Sequence, residues 1–110
     1  MELYLVELPN GPEWIDGNDA REQPLWDEHA AFMDALFDAG HVVLGGRLKD
    51  ETGALLVMDA DREAHVRELL APDPWCVDRD MLRVGEIRPW KIFLDARTRP
   101  PVSNAGGSSV

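Results

Sequence analysis

Two segments of the chain have apolar side chains on both of their sides, and this feature constrains the fold more than any other. Glu2–Leu8 and Ala54–Met58 are rich in branched and aromatic residues, which is typical of β-strands. A strand with one face in water normally alternates apolar and polar residues, and these two do not. Both faces of the sheet that contains them must therefore be covered.

Two other segments carry the periodicity of an amphipathic helix. Pro24–Ala39 places its apolar residues on one arc at about 100° per residue, and Gly40 suits the position after a helix end. Arg62–Leu70 follows Asp61, a residue type that caps helices. Two helices cover one face of a four-stranded sheet, so a second copy of the chain is the simplest cover for the other face.

Two further strands complete the pattern. His41–Leu48 ends near a hairpin turn at Lys49–Gly53. Leu82–Leu94 is interrupted by Gly85 and Pro89, which indicates an edge strand or a bulge. The order strand–helix–strand–strand–helix–strand predicts a single α+β domain with the ferredoxin-like βαββαβ fold.

The predicted domain spans residues 1–95, and a flexible C-terminal tail rich in glycine, serine and proline spans residues 96–110. The connection Pro9–Glu22 is long and contains Trp14. This tryptophan either anchors the connection or covers a ligand pocket, and anchoring is slightly favoured.

Composition excludes several classes of function. The net charge of −10 over 110 residues, from 21 acidic and 11 basic residues, disfavours binding to nucleic acid or to an anionic membrane surface. Neither a membrane span nor an export signal is visible, so a cytoplasmic location is expected. The single Cys76 and three scattered histidines predict no metal site, and Gly45-Gly46 lacks the spacing of a phosphate loop, so no cofactor is expected.

His29 and Asp73 are the candidate reactive residues. His29 lies near the middle of the apolar arc of the first helix, where a histidine is most often a satisfied core or interface residue. Asp73 precedes Pro74 and alone indicates a turn. A carboxylate that holds one imidazole nitrogen would instead leave the other nitrogen free as a general base.

Four motifs in order resemble the YCII-related family of small proteins. They run from about Leu3 to Phe93 and comprise Trp26-x-x-His29-x-x-Phe32, Ala39–Gly46, Asp73-Pro74-Trp75 and Ile87-Arg88-Pro89-Trp90. The resemblance implies a ferredoxin-like fold that dimerises as an α/β barrel. It also implies a pocket near the dimer interface, with His29 and Asp73 as its reactive pair.

In addition to Trp14, three further residues are candidate ligand contacts. Trp75 adjoins Asp73 and is predicted to line the pocket, although a tryptophan is more often a core or interface residue. Gly46 permits a close backbone approach to a ligand or to the partner subunit. Arg47 stands where the family often has proline, and it either adds a cation to the pocket or points to water.

Three functions remain open at this point. The first is a small cofactor-independent enzyme that abstracts a proton, or eliminates a leaving group, from a small molecule, with His29 as base and Asp73 as its orienter. The second is a binding or regulatory module with the same pocket and no turnover. The third is a structural homodimer in which the two residues only brace the fold.

Overall fold

The computed structural model describes residues 2–97, and its centre is a four-stranded antiparallel sheet with the order β2-β3-β1-β4. The strands are β1 (Glu2–Pro9), β2 (Val42–Arg47), β3 (Gly53–Ala60) and β4 (Ile87–Pro89). β1 and β3 pair along their whole length, from Glu2 opposite Ala60 to Pro9 opposite Gly53. The two segments with apolar side chains on both sides are therefore the central strands.

Three α-helices and one 3₁₀ helix connect the strands. They are the 3₁₀ helix Ala20–Glu22, α1 (Trp26–Asp38), α2 (Glu63–Leu70) and α3 (Pro74–Val77). α1 joins β1 to β2, and α2 with the single turn of α3 joins β3 to β4. The predicted α+β class and ferredoxin-like order are confirmed. Within the described part of the chain, no helix is long and apolar enough to cross a membrane.

One face of the sheet packs against the helices and forms the core. Val6 of β1, Met58 of β3 and Val66 of α2 are completely buried there. Each such side chain contributes roughly 1.5–3 kcal/mol relative to leaving it exposed. Other buried side chains of the same hydrophobic cluster come from the strands, the helices and the segments between them, and they include Tyr4, Leu8, Leu36, Leu56, Leu70, Trp75, Met81, Leu82 and Ile87.

The opposite face of the sheet, called the open face below, is also apolar. Its members are recognised by cross-strand pairing: Leu5 lies opposite Val57, and Val57 lies opposite Leu44. Leu44 is 58% exposed and Trp90 is 45% exposed. The open face comprises Leu3, Leu5, Leu44, Leu55, Val57 and Trp90. Within residues 2–97 no helix packs on the open face, in agreement with the prediction that two helices cover only one face of the sheet.

The first helix begins at Trp26, two residues later than predicted. Leu25 precedes it in the left-handed region at φ 62°, so the chain turns sharply into the helix. Pro24 stays outside, where its carbonyl accepts a hydrogen bond from the Trp75 indole at 2.7 Å. The helix ends at Asp38, one residue before the predicted Ala39, which is its C-cap, and Gly40 comes next at φ 86°.

Two other boundaries differ from prediction. Asp61 does not cap α2: Arg62 occupies the N-cap position without a side-chain hydrogen bond, and the Asp61 backbone N–H donates to His65 Nδ1. The last strand is only Ile87–Pro89, much shorter than the predicted Leu82–Leu94. Gly85 lies before it and so close to β1 that a Cβ would be 2.9 Å from the Pro9 ring. All but the first two residues of the predicted tail lie outside the described residues.

Candidate functional site

α1 directs His29 toward the interior of the protein. His29 and Leu36 are the buried residues of this helix, and His29 is only 8% exposed. Its backbone N–H donates to the Leu25 carbonyl at 2.9 Å, so the sharp turn before α1 also fixes where the first helical turn places the imidazole. The amphipathic pattern therefore predicted correctly that this histidine faces inward.

Asp73 begins α3 as its N-cap residue. Its Oδ1 accepts the backbone N–H of Trp75 at 3.0 Å, and Pro74 occupies the first helical position, which suits its fixed φ. Asp73 is 1% exposed. The residue thus has the structural role that its position before proline indicated, and this role aims its carboxyl group at α1.

His29 and Asp73 form a buried pair across 44 residues of sequence. The imidazole Nδ1 lies 2.9 Å from Asp73 Oδ1 and 3.0 Å from Oδ2. A carboxylate can only accept, so Nδ1 is the donor, and this bond fixes the neutral tautomer with an unprotonated Nε2.

Nε2 of His29 has no hydrogen-bond partner among the described residues. Over the same part of the chain, no fully buried side-chain nitrogen or oxygen lacks a partner. Nε2 is therefore accessible, and the space it faces is a cavity that His29 lines. The arrangement presents an oriented lone pair to a cavity, which is what a general base requires.

Trp75 holds the plane of the imidazole. The two rings stack with centroids 3.8 Å apart and an interplanar angle of 8°. Trp14 meets Trp75 edge-on at 5.3 Å, and Trp26 lies at 5.8 Å in a tilted contact. Trp75 is 1% exposed and also lines the cavity, so it serves the core and the site together.

The cavity has a volume of about 420 Å³ and lies between α1, β2 and β3. This volume is within the range of roughly 300–1,000 Å³ typical of small-molecule sites. Of the described residues, three with charged or titratable side chains line it, His29, Asp34 and Arg47. The remaining walls are mainly apolar and include Leu8, Trp26, Met33, Phe37, Val42, Leu56 and Trp75.

Three residues predicted from the sequence lie at the β2 end of the cavity. Gly46 and Arg47 line it, and Trp14 is buried directly beneath the Arg47 guanidinium, whose carbon is 4.1 Å from the ring centroid. Burial lowers the pKa of Arg47 from its usual value, and the carboxylates of Glu51 and Asp19 partly oppose this. The geometry matches the anchoring alternative for Trp14, and the ligand-binding roles of all three stay predictions.

Sequence reasoning missed the residues that hold Arg47 in place. Asn10 Oδ1 and the Glu51 carbonyl oxygen each accept a hydrogen bond from the guanidinium at 3.0 Å. Asn10 lies in the long connection that begins at Pro9, and no local pattern connects it to the end of β2. Phe37 and Met33, by contrast, follow from the α1 periodicity that contains His29.

Cys76 does not line this cavity. Burial, together with the smaller effect of the nearby carboxylates of Asp73 and Asp80, raises the pKa of its thiol to about 12. The thiol is therefore protonated at neutral pH and is a poor nucleophile. Among residues 2–97, no group of three or more histidine, cysteine or acidic side chains could hold a metal ion.

Fold and site together define the class: a small α+β protein of the ferredoxin-like type, with a buried histidine–aspartate pair at the wall of an apolar cavity. The chain belongs to the YCII-related family, whose domain matches residues 3–91. The resemblance seen in the four sequence motifs is thereby confirmed.

Among solved structures, the fold is similar to that of 5-chloro-2-hydroxyhydroquinone dehydrochlorinase (TftG) from Burkholderia phenoliruptrix AC1100, in complex with 2,5-dihydroxybenzoquinone. The TM-score is 0.57 at 22% sequence identity, over 81% of this chain and 93% of that chain. At this identity the similarity establishes the fold. No curated protein matches the chain.

Proposed function

We propose that the protein is a small cofactor-independent enzyme that abstracts a proton, or eliminates a leaving group, from a compact molecule. His29 is the base and Asp73 is its orienter. The observation that carries this proposal is the 2.9 Å contact between His29 Nδ1 and Asp73, which leaves Nε2 facing the cavity.

The proposed chemistry uses the Nε2 lone pair of His29. Nε2 takes a proton from an acidified carbon of the substrate, and the electron pair of the broken C–H bond forms a new double bond. In an elimination, the leaving group departs from the neighbouring carbon as an anion with its bonding pair. Asp73 stabilises the imidazolium that forms, since its carboxylate already accepts the Nδ1–H.

The structural neighbour supports this class of reaction. TftG is named as a dehydrochlorinase, an enzyme that removes HCl, and its complex contains a small hydroxylated quinone. The cavity beside His29, at about 420 Å³, has room for a molecule of that size. The stacked Trp75 keeps the imidazole from rotating, which preserves its orientation toward a bound substrate.

The proposal includes a homodimer in which the open faces of two chains pack together as an α/β barrel. Its support is the exposure of Leu44 and Trp90 on that face. A second, shallower cavity of about 380 Å³ lies on the open face, and Gly45, Gly46 and Arg47 line both cavities. A partner on the open face would therefore lie next to the end of the ligand cavity.

A thermal-shift screen of small phenols, quinones and acids tests the site. We expect at least one compound to raise the melting temperature of the wild type, and we expect the shift to shrink in His29→Gln. His65→Gln is the matched control, because His65 does not line the cavity. Failure of the whole panel to stabilise the wild type would contradict a small-molecule site.

Turnover of the hits separates an enzyme from a binding module. General-base catalysis contributes roughly 10²–10⁴-fold, so we expect His29→Gln to lower kcat by about 100-fold or more. A hit that binds with no proton exchange or elimination would favour the second function, a binding module. The third function, a purely structural pair, is supported by the Asp73 cap of α3. It predicts that neither the wild type nor His29→Gln binds any compound of the panel.

Sedimentation tests the dimer. We expect a dimer at micromolar concentration for the wild type and a monomer for Leu44→Glu and Trp90→Glu, since a charge would have to be buried at the interface. Val77→Glu is the control, because Val77 is also exposed but lies on α3 and away from the open face. A wild-type monomer would contradict this part of the proposal.

A further inference from the structure

Arg47 is the cavity residue that the proton-transfer proposal leaves unused. It is the last residue of β2, lies opposite Ala54 of β3, and lines the same cavity as His29. It is half-buried, whereas the other arginines among the described residues are exposed. Because Arg47 lies at the end of a strand and not in a loop, the sheet fixes the backbone from which its side chain extends.

Three uncharged groups hold the guanidinium in one orientation. Asn10 Oδ1 accepts a hydrogen bond from one terminal nitrogen, and the Glu51 carbonyl accepts one from the other, each at 3.0 Å. The Trp14 ring lies 4.1 Å below the central carbon in a cation–π contact. These contacts orient the charge, but none of them neutralises it.

No carboxylate lies within ion-pair distance of Arg47 among the described residues. This is unexpected in a chain with 21 acidic and 11 basic residues. Acidic groups near it, including Glu51 and Asp19, act on its pKa only at longer range. The other described arginines that make ion pairs are all at the surface, namely Arg62, Arg67, Arg79, Arg83 and Arg97.

An oriented, half-buried cation without a carboxylate partner is a binding group for an anion. Two hydrogen bonds use two of the five guanidinium N–H groups, which leaves donors for another acceptor. The planar fork of arginine matches a carboxylate better than it matches a neutral oxygen. Asp34, the acidic residue of the cavity wall, is exposed, so water screens its repulsion of such a ligand.

We propose that the ligand of this site is a small planar carboxylic acid, with its carboxylate on Arg47 and its reactive carbon at His29 Nε2. This inference rests on the proposed function and names its substrate class. The flat ring of the partly exposed Trp26 among the apolar walls favours an aromatic or conjugated acid over a flexible aliphatic one.

The test compares acids with their neutral amides by isothermal titration calorimetry on the full chain. The probes are 4-hydroxybenzoate and cinnamate, each paired with its carboxamide, which has nearly the same shape and no charge. We expect the wild type to bind at least one acid about tenfold or more tightly than its amide, the advantage of a charge-assisted over a neutral contact. Equal affinity for acid and amide, or no binding of either pair, would overturn the inference.

Variants then assign the preference to Arg47. We expect Arg47→Gln to abolish the preference for the acid, because binding of the acid loses the charge-assisted contact and weakens much more than binding of the amide. Arg67→Gln, which removes one positive charge from the surface of α2, should keep the full preference. A preference for the acid that survives in Arg47→Gln would overturn the assignment.

A second variant guards against loss of folding. Arg47→Lys keeps the charge but loses the planar fork, so it should keep a reduced preference for the acid. Circular dichroism checks that both variants are folded. If Arg47→Gln does not fold, the acid–amide comparison on the wild type and Arg47→Lys still decides the matter.

His29→Gln distinguishes this inference from the proposed reaction. It should keep the preference for the acid, because Arg47 is unchanged, while it loses exchange of the substrate proton with deuterated solvent. If acids bind through Arg47 but the wild type exchanges no proton and eliminates nothing, the proposed reaction is wrong and the Arg47 inference stands. If neutral phenols or quinones react and acids bind no more tightly than their amides, the proposed reaction stands and the Arg47 inference is wrong.

Discussion

His29 and His65 each lie beside an aspartate, but the two pairs differ in burial and in origin. The His29–Asp73 pair joins side chains that are 11% and 1% exposed, at 2.9 Å. The His65–Asp61 pair joins side chains that are 24% and 86% exposed, at 3.7 Å. The second pair comes from i,i+4 spacing at the start of α2, where Asp61 lies just before the N-cap Arg62, whereas the first exists only because the fold packs α3 against α1.

The pairs also set opposite tautomers. Nδ1 of His29 donates to a carboxylate, whereas Nδ1 of His65 accepts the backbone N–H of Asp61 at 3.2 Å. In its neutral form His65 therefore carries its proton on Nε2 and presents a donor there. An aspartate near a histidine does not by itself make a base; the atom that contacts Nδ1 decides which nitrogen keeps its lone pair.

Substitution of the two aspartates should give the largest difference. Asp73→Ala removes the buried partner of His29 and the cap of α3, so we expect a loss of about 3 kcal/mol in the free energy of unfolding. Asp61→Ala should change it by no more than about 0.5 kcal/mol, because that side chain is largely in water. Urea unfolding of both variants checks this, and equal losses would remove the basis of the comparison.

A double-mutant cycle measures each pair directly. For His29→Ala with Asp73→Asn we expect a coupling energy of roughly 1.5–3 kcal/mol, as for a buried hydrogen bond to a charged group. For His65→Ala with Asp61→Asn we expect less than about 1 kcal/mol, as for other exposed pairs. A larger coupling energy for the surface pair would reverse the comparison.

Nitrogen-15 chemical shifts of the imidazoles test the tautomers. At a pH where both rings are neutral, Nε2 of His29 should show the shift of an unprotonated nitrogen, and Nδ1 of His65 should show it instead. The change in Asp73→Asn is informative too, because an amide can donate to Nδ1 and so permit the other tautomer. Matching tautomers in the wild type would show that the two partners do not control their rings.

The smallest effect concerns Cys76. The negative charge of Asp73 helps to raise the pKa of this thiol, although burial is the larger cause. Asp73→Asn should lower that pKa and increase the thiolate fraction, so alkylation by iodoacetamide at pH 9 should become a few-fold faster. Asp61→Asn should leave the rate unchanged. Alkylation in the unfolded state, measured separately, controls for opening of the structure.

Much of the fold was predictable because its signals are local and repeated. The apolar residues on both sides of β1 and β3 predicted two apolar sheet faces, and the periodicity of α1 placed His29 on a buried side. Leu25 could not be foreseen as a left-handed residue, because its conformation depends on the contact between Pro24 and the distant Trp75. The helix start at Asp61 was also not predictable, because Arg62 takes the N-cap position and Asp61 uses its own backbone N–H to donate to His65 Nδ1.

The candidate site also has a part that was predictable from the sequence and a part that was not. The pairing of His29 with Asp73 came from the family resemblance, since no spacing rule connects residues 44 positions apart, and the structure places them in contact. The surroundings of Arg47 were not predictable. Asn10, Trp14 and Glu51 lie in three irregular segments, and their meeting is a property of the tertiary structure alone.

The double use of Asp73 affects how such a site can decay in evolution. One carboxylate oxygen accepts from both His29 and the backbone of Trp75, so a substitution that ended the proposed chemistry would also weaken the start of α3. A lineage that no longer needs the reaction would still be selected to keep the aspartate for folding. A descendant could then keep the His29–Asp73 pair long after it had lost its substrate. Among such relatives the residues of the cavity wall, above all the residue at position 47, would therefore indicate a retained activity better than the pair does.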